Sequence, residues 1–481
     1  MKFHIGKDGK VKIILVYKNA EKVEEANDLY SYLKEKELFK GDLGEVYSHI
    51  SHSEDKFILL GIGEKEKTTA NSLRKAFFNA GKELMKFKVT SIKISIPMFK
   101  NLKYESIVQS ITEGLLQSEY SFEKYLTKKK ISPSIKNVYL DILEEKEEET
   151  INAINESKNL IEGIFLARNL VNEPAIYMTP TALANNAKNQ LESLGVEVKI
   201  YGKEKIKELG MEAFLAVSKG SFEESQLIVM NYKGNSNSDK KLALVGKGLT
   251  YDSGGYSIKP TSSMINMHSD MAGSASVIGA MKAIAMSKLE VNVVAIVAAC
   301  ENMISGGAYK PGDIISSMSG KTIEILNTDA EGRLTLADAL WYAVDVVKAD
   351  KIIDIATLTG ACVTALGSIN TGAITNNSYL MDNVKKASEC AGEPVWEFPN
   401  NDEYKELIKG TFGDLKNSSG REAGAITAGM FLQEFVGNTP WVHLDVAGTA
   451  YLSSKNGYLQ KGATGVPVKT LYYLAKGFKN K

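Results

Sequence analysis

Cysteine is scarce, with 3 in 481 residues. Cys300, Cys362 and Cys390 are odd in number and widely spaced, which excludes a disulfide framework and a cysteine-based metal centre and fits free thiols in a reducing compartment. An excess of charge of either sign is also missing. Lys plus Arg and Asp plus Glu each number 58, so no global field draws the chain to nucleic acid or to anionic lipid. Long apolar runs are lacking too. The stretch 291–300 is far too short to span a bilayer, and the opening residues, Met1-Lys2-Phe3-His4-Ile5-Gly6-Lys7-Asp8, contain no apolar signal core. Internal repeats and low-complexity tracts are likewise absent. The expectation is a globular cytoplasmic protein with no membrane partner.

What is present is an ordinary globular balance, 44% hydrophobic and 24% charged. At 481 residues the chain is too long for one core, and two domains are expected. The first third alternates β-rich runs (11–17, 57–61, 91–97) with stretches of helical spacing (21–36, 71–87), an α/β pattern. Two charged stretches, Lys128-Lys129-Lys130 and residues 144–149, read as solvated surface near a boundary. The predicted division is an N-terminal α/β domain over 1–150, a linker helix over 151–172 and a catalytic domain over 173–481. In the last of these, the runs 242–246, 291–299 and 352–358 are continuously apolar rather than alternating, which indicates a sheet covered on both faces. Polar residues follow each run, at 247–259, 301–313 and 357–360, where ligands sit outside the carboxyl ends of such strands.

The chemistry concentrates in two clusters. Asp329, Glu331 and Arg333 fall at i, i+2 and i+4, so an extended segment would project all three to one side. Ala330 and Gly332 between them are small enough to let the backbone approach a ligand. Taken alone, the trio reads as a salt-bridged edge strand. The second cluster changes that reading: Lys247, Asp252 and Lys259 follow a predicted strand in a glycine-rich stretch, and Asp270 comes soon after. The glycines do not have phosphate-loop or dinucleotide spacing. Four carboxylates, at Asp252, Asp270, Asp329 and Glu331, would repel one another without counter-ions. Two divalent cations, about 3.5–4 Å apart in hydrolytic centres of this type, would balance them. The donors include neither His nor Cys, so Mn²⁺, Mg²⁺ and Zn²⁺ all fit. His268 reads as a hydrogen-bonding neighbour of the acidic run rather than a ligand.

Together these clusters resemble the leucyl aminopeptidase (cytosol aminopeptidase) family, whose signature N-T-D-A-E-G-R-L stands here at 327–334. The match continues through Arg168-Asn169-Leu170-Val171-Asn172-Glu173-Pro174, Lys310-Pro311-Gly312-Asp313, Thr357-Leu358-Thr359-Gly360-Ala361 and the segment 441–450. It covers the chain after about residue 160. The resemblance implies a smaller N-terminal α/β domain and a larger C-terminal one, whose central mixed, mostly parallel sheet is covered by helices in the manner of zinc exopeptidases. It also implies a metal-dependent aminopeptidase that removes leucine and other apolar N-terminal residues from peptides by two-metal activation of water. The implied ligands are Lys247, Asp252, Asp270, Asp329 and Glu331, with Asp252 and Glu331 bridging two ions, Mn²⁺ or Zn²⁺. Lys247 would have to ligate as the neutral amine. Lys259 and Arg333 take the catalytic positions, Lys259 polarising the scissile carbonyl and Arg333 holding a bicarbonate base. Met267 and Ala450 would wall the side-chain pocket, Leu358 and Gly360 would contact the peptide backbone, and the assembly would be a homohexamer.

The chain departs from the family pattern at Tyr256, His268, Pro467 and Lys469, none of them a ligand or catalytic position. Two other functions are weighed beside this one. A DNA-binding regulatory role, alone or additional, finds no basic stripe in the first 150 residues. A two-metal phosphoesterase accounts for the carboxylates but not for Lys247.

Overall fold

A computed structural model describes residues 1–50, 56–128 and 135–478. Lys129 and Lys130 of the lysine run lie outside the described residues. The chain divides into two compact units, Met1–Ile161 with Lys455–Leu459, and Glu162–Ser454 with Gln460–Lys481. The division falls inside one helix, Glu147–Asn172, whose first turn carries Glu147, Glu148 and Glu149, the sign that the positive end of a helix dipole favours.

The first unit is built on a six-stranded sheet of Lys2–Ile5 (β1), Val11–Tyr17 (β2), Val46–His49 (β3), Phe57–Gly63 (β4), Ser91–Ser95 (β5) and Asn137–Asp141 (β6), in the order β1-β6-β5-β2-β4-β3. All neighbours are parallel except β3, which runs antiparallel to β4. Ile13, Ile58, Ile92 and Val138 point into one core with Phe77 and Ile111 from the helices Ala70–Lys86 and Tyr104–Ser118. The helix expected over 21–36 is confined to Asn27–Glu35. The Asn27 side chain accepts from Val23 N, and such a local side-chain bond offers the backbone an alternative to the helix.

The second unit holds an eight-stranded sheet of Glu197–Tyr201 (β7), Gln226–Lys233 (β8), Leu242–Asp252 (β9), Asn292–Asn302 (β10), Lys351–Ala356, Thr371–Thr375, Val395–Glu397 and Trp441–Asp445. Two short strands of a separate three-stranded sheet, Ile314–Ser316 (β11) and Thr322–Glu324 (β12), lie between β10 and Lys351–Ala356 in the chain. Continuing in chain order, Lys351–Ala356 is β13, Thr371–Thr375 β14, Val395–Glu397 β15, Leu415–Lys416 β16 and Trp441–Asp445 β17. The large sheet runs β15-β14-β17-β13-β9-β10-β8-β7. Its four central strands, β17, β13, β9 and β10, are parallel, and antiparallel pairs appear at β14·β17, β10·β8 and β7·β8. It is the mixed, mostly parallel sheet expected from the sequence. β9 and β10 are buried almost end to end, as the unbroken apolar runs require. Helices Ala272–Met286 and Gly332–Asp345 pack against β9. Because the four parallel strands end on one side, Asp252, Asn302, Thr357 and Asp445 emerge together.

The site loop is where extended geometry fails. Residues 325–331 contain no strand, and the segment turns at Thr328 and Asp329 before entering the helix Gly332–Asp345. Glu331 is the helix N-cap, with φ −77° and ψ −35°, and Arg333 lies in the first turn. A period of two implies one face only when the chain is extended; tertiary hydrogen bonds hold a turn here instead.

Candidate metal centre

Lys247 sits within β9, flanked by Gly246 and Gly248, and its side chain is almost wholly buried. Gly332 makes room for it: a Cβ there would stand 2.4 Å from Lys247 Cε. The small residue therefore admits the lysine stem, a close approach that the octapeptide alone did not reveal. Lys247 Nζ lies 2.9 Å from Asp270 Oδ1, 2.8 Å from Asp270 Oδ2 and 2.9 Å from Glu331 Oε1, and donates to Thr357 O at 3.0 Å. Thr357 Oγ1 in turn donates to Asp270 Oδ1 at 2.7 Å.

The β9–β10 register shifts between Cys300 and Glu301, after which Asp252 pairs with Asn302. An irregularity of this kind beside a site re-aims the residues that follow it. Asn302 Nδ2 donates to Asp252 Oδ1 at 2.8 Å and to Thr328 O at 2.9 Å. Gly254, at φ +86°, turns the chain so that its N–H reaches Asp252 Oδ1 at 2.8 Å, a conformation that disfavours a side chain. Lys259 Nζ then meets Asp252 Oδ2 at 2.9 Å and Asp329 Oδ1 at 2.5 Å. The structure thus gathers Lys247, Asp252, Lys259, Asp270, Asp329 and Glu331 into one cluster. Arg333 is buried beside it and donates from Nη1 to Asn417 O at 2.7 Å.

Burial raises the pKa values of Asp252, Asp270 and Asp329, the last to about 6, against the pull of the lysines. Burial would raise Glu331 too, but Lys247 and Lys259 outweigh it and hold that carboxyl low. Burial would lower both lysines; the surrounding carboxylates hold them above the usual lysine range. Arg333 is lowered to about 10 by burial despite Glu331 and Asp445 nearby.

This donor set fits divalent cations. Four carboxylates outnumber the two ammonium groups among them, and donor atoms of Asp252, Asp329 and Glu331 lie within 4.8 Å of one another. Glu331 Oε2 is buried with no hydrogen-bond partner, a costly state for an acceptor unless something cationic faces it. Two observations qualify the other predicted positions. The N–H of Leu358 is committed to Asp445 Oδ1 at 3.2 Å, while Gly360 is exposed at the start of the helix Gly360–Leu366. Met267 is partly exposed and Ala450 buried; the ring contact between their neighbours His268 and Tyr451, at 5.5 Å, brings the two segments together. That contact engages the His268 ring with an aromatic neighbour.

Sequence reasoning missed Asn302, Asp445 and Asn417. Asn302 and Asp445 close apolar strands just as Asp252 does, and that shared position was a usable signal. Asn417 follows a two-residue strand in a polar stretch, with nothing in the sequence to mark it.

The profile of the cytosol aminopeptidase family's catalytic domain matches residues 165–472, and that of its N-terminal domain residues 13–129. The chain is 99% identical over 481 residues to the probable cytosol aminopeptidase of Clostridium tetani, covering 100% of both chains. It is 49% identical to that of Treponema denticola, over 98% of this chain and 99% of the relative. Among solved structures it resembles the bottromycin maturation enzyme BotP in complex with Mn, with a TM-score of 0.88 and 28% identity, covering 98% of this chain and 99% of that one. The chain belongs to the cytosol aminopeptidase family and is a metallo-exopeptidase, a hydrolase acting on peptide bonds.

Proposed function

We propose that the enzyme releases N-terminal leucine and other apolar residues from peptides, with two divalent cations, Mn²⁺ or Zn²⁺, held by Lys247, Asp252, Asp270, Asp329 and Glu331. The carrying observation is the buried, unpartnered Oε2 of Glu331 inside the acidic cluster. The likeness to a protein solved in complex with Mn supports the metal class. Bound there, the cations would supply Lewis acidity to the scissile carbonyl and acidify water.

The chain's own groups divide the remaining work. Lys247 joins the donor set only as the neutral amine, so the proton that Asp270 and Glu331 hold on it has to leave on binding. Lys259, whose side chain is 15% exposed, is the ammonium within reach of substrate, and it donates to the carbonyl oxygen as negative charge develops. One such donor contributes roughly 2.7–4 kcal/mol in comparable sites. Arg333 has a buried Nε without a hydrogen-bond partner, and its free N–H edge suits it to hold a bicarbonate as proton acceptor. Leu358 offers the peptide its carbonyl, since its N–H is taken, and Gly360 offers backbone unobstructed by a Cβ. Met267 and Ala450 as pocket walls favour a medium-sized apolar side chain.

A homohexamer acting in the cytoplasm completes this reading, and light scattering of the purified enzyme measures the assembly. The test of function is a chelator-stripped enzyme given back Mn²⁺, Zn²⁺ or Co²⁺ and assayed on leucyl anilide and on a phosphate ester. Restored anilide hydrolysis with an inert ester is the expected result. Failure of every metal to restore anilide hydrolysis, or turnover of the ester instead, overturns the reading.

A further inference from the structure

The loop that carries Asp329 and Glu331 has no secondary structure of its own between β12 and the helix Gly332–Asp345, so its backbone groups need partners from elsewhere. β16 pairs with β12 in parallel only as far as Glu324 and Lys416. Asn417 N then donates to Glu324 O at 3.0 Å, and from there the Asn417 side chain takes over as a surrogate peptide group. Its Oδ1 accepts from Leu326 N at 2.9 Å and Asn327 N at 3.3 Å. Its Nδ2 donates to Asn327 O at 2.6 Å and Ala330 O at 3.4 Å. A side-chain amide has two acceptor and two donor positions, and all are used; the two main-chain N–H groups also dictate which end is oxygen. Asn417 is fully buried, and its own carbonyl receives Arg333 Nη1.

One residue therefore grips the loop before, within and after the acidic pair. The grip passes on to Asp329, because Asn327 Oδ1 accepts from Asp329 N at 2.8 Å. From the opposite side the loop is held through Thr328, which exchanges hydrogen bonds with Ser257 and accepts from Tyr309 Oη and Asn302 Nδ2. No carboxylate of the cluster is among the hydrogen-bond partners of Asn417 named above, so it acts through the loop.

We propose that Asn417 is a positioning residue that sets the pose of the Asp329–Glu331 loop and of the Arg333 guanidinium together, so that metal affinity and turnover depend on the same side-chain amide. The inference rests on the metal-binding role proposed above for Asp329 and Glu331. The Asn417→Asp variant keeps the acceptor for Leu326 N but turns an oxygen towards the carbonyls of Asn327 and Ala330; Asn417→Ala removes both grips and keeps the main-chain carbonyl for Arg333. Calorimetric titration of Mn²⁺ into metal-free protein is the primary readout. Residues that support metal ligands commonly set affinity by about 10–100-fold, and a loss of that order at one or both sites is expected in each variant. At saturating Mn²⁺, kcat should be lower with KM for leucyl anilide little changed, and Asn417→Ala should combine non-additively with Arg333→Ala.

If wild-type protein binds Mn²⁺ and both variants bind it equally well, the proposal is overturned while the metal reading stands. If wild-type protein binds no Mn²⁺, the metal reading itself fails, and this inference with it. Should the variants not fold, amide exchange in the wild-type enzyme decides: slow exchange at Leu326 and Asn327 supports the grip, and free exchange at both overturns it.

Discussion

Lys259 and Arg333 differ in what surrounds them, and their variants should differ accordingly. Lys259→Ala removes a donor at the rim of the acidic cluster and is expected to lower kcat by about 10²–10³-fold, measured on leucyl anilide at saturating metal. A near-wild-type kcat would remove Lys259 from the mechanism. Deeper in the sheet, His443 Nδ1 and Asp354 Oδ1 are 2.6 Å apart, and Asp354 Oδ2 accepts from Trp441 Nε1 at 2.6 Å. Burial would lower the imidazole, but Asp354 outweighs it and holds the folded-state pKa above the ordinary 6.5. A raised histidine stabilises the fold fully below its unfolded value, and that contribution is lost as pH rises through the folded one. Denaturant melts at about pH 6 and about pH 8 should therefore show a drop in wild-type stability that His443→Asn reduces; equal drops would mean the pair does not titrate in this window. Sequence identified the histidine as part of a family segment but gave no sign of its charge partner, which stands on the neighbouring strand at the same register.

The elements themselves were largely legible. β2 spans the expected 11–17, and the run 242–246 marks the start of β9, which continues through the polar residues to Asp252. It extends further because Gly248, Leu249, Tyr251 and Asp252 still find ladder partners on β10, which composition does not reveal. Caps supplied from a distance were invisible. The helix Glu212–Ser218 follows Met211, which has no side-chain cap, and its Phe214 N–H is accepted by Asp338 Oδ2 at 2.9 Å from the helix Gly332–Asp345. Asp338 Oδ1 also accepts from Met318 N at 2.8 Å. Asp338→Asn turns an amide donor towards one of these N–H groups and should cost about 1–3 kcal/mol of stability, read from denaturant melts. A cost near zero would mean that the cap contributes nothing.

Over the whole molecule, the balance of 58 cationic against 58 anionic side chains leads us to expect no tight duplex DNA binding, which filter binding across a salt series measures; a steep salt dependence would reinstate a nucleic-acid role. Among the described residues no helix is long and apolar enough to cross a membrane. Metal should stabilise the enzyme by mass action, by about 2.7 kcal/mol at a hundredfold excess over Kd, seen as a rise in Tm when Mn²⁺ is added to stripped protein. No rise would argue against a folded-state site. The sequence by itself determined the α/β class, the family and the identities of the clustered acids and lysines, because residue type and motif spacing are local properties of the chain. Only the tertiary structure decided that Asp329, Glu331 and Arg333 lie on a turn and a helix start rather than a strand, that Gly332 exists for Lys247, and that Asn417 holds the loop. Those facts depend on hydrogen bonds and close contacts between residues tens of positions apart, which no local period encodes.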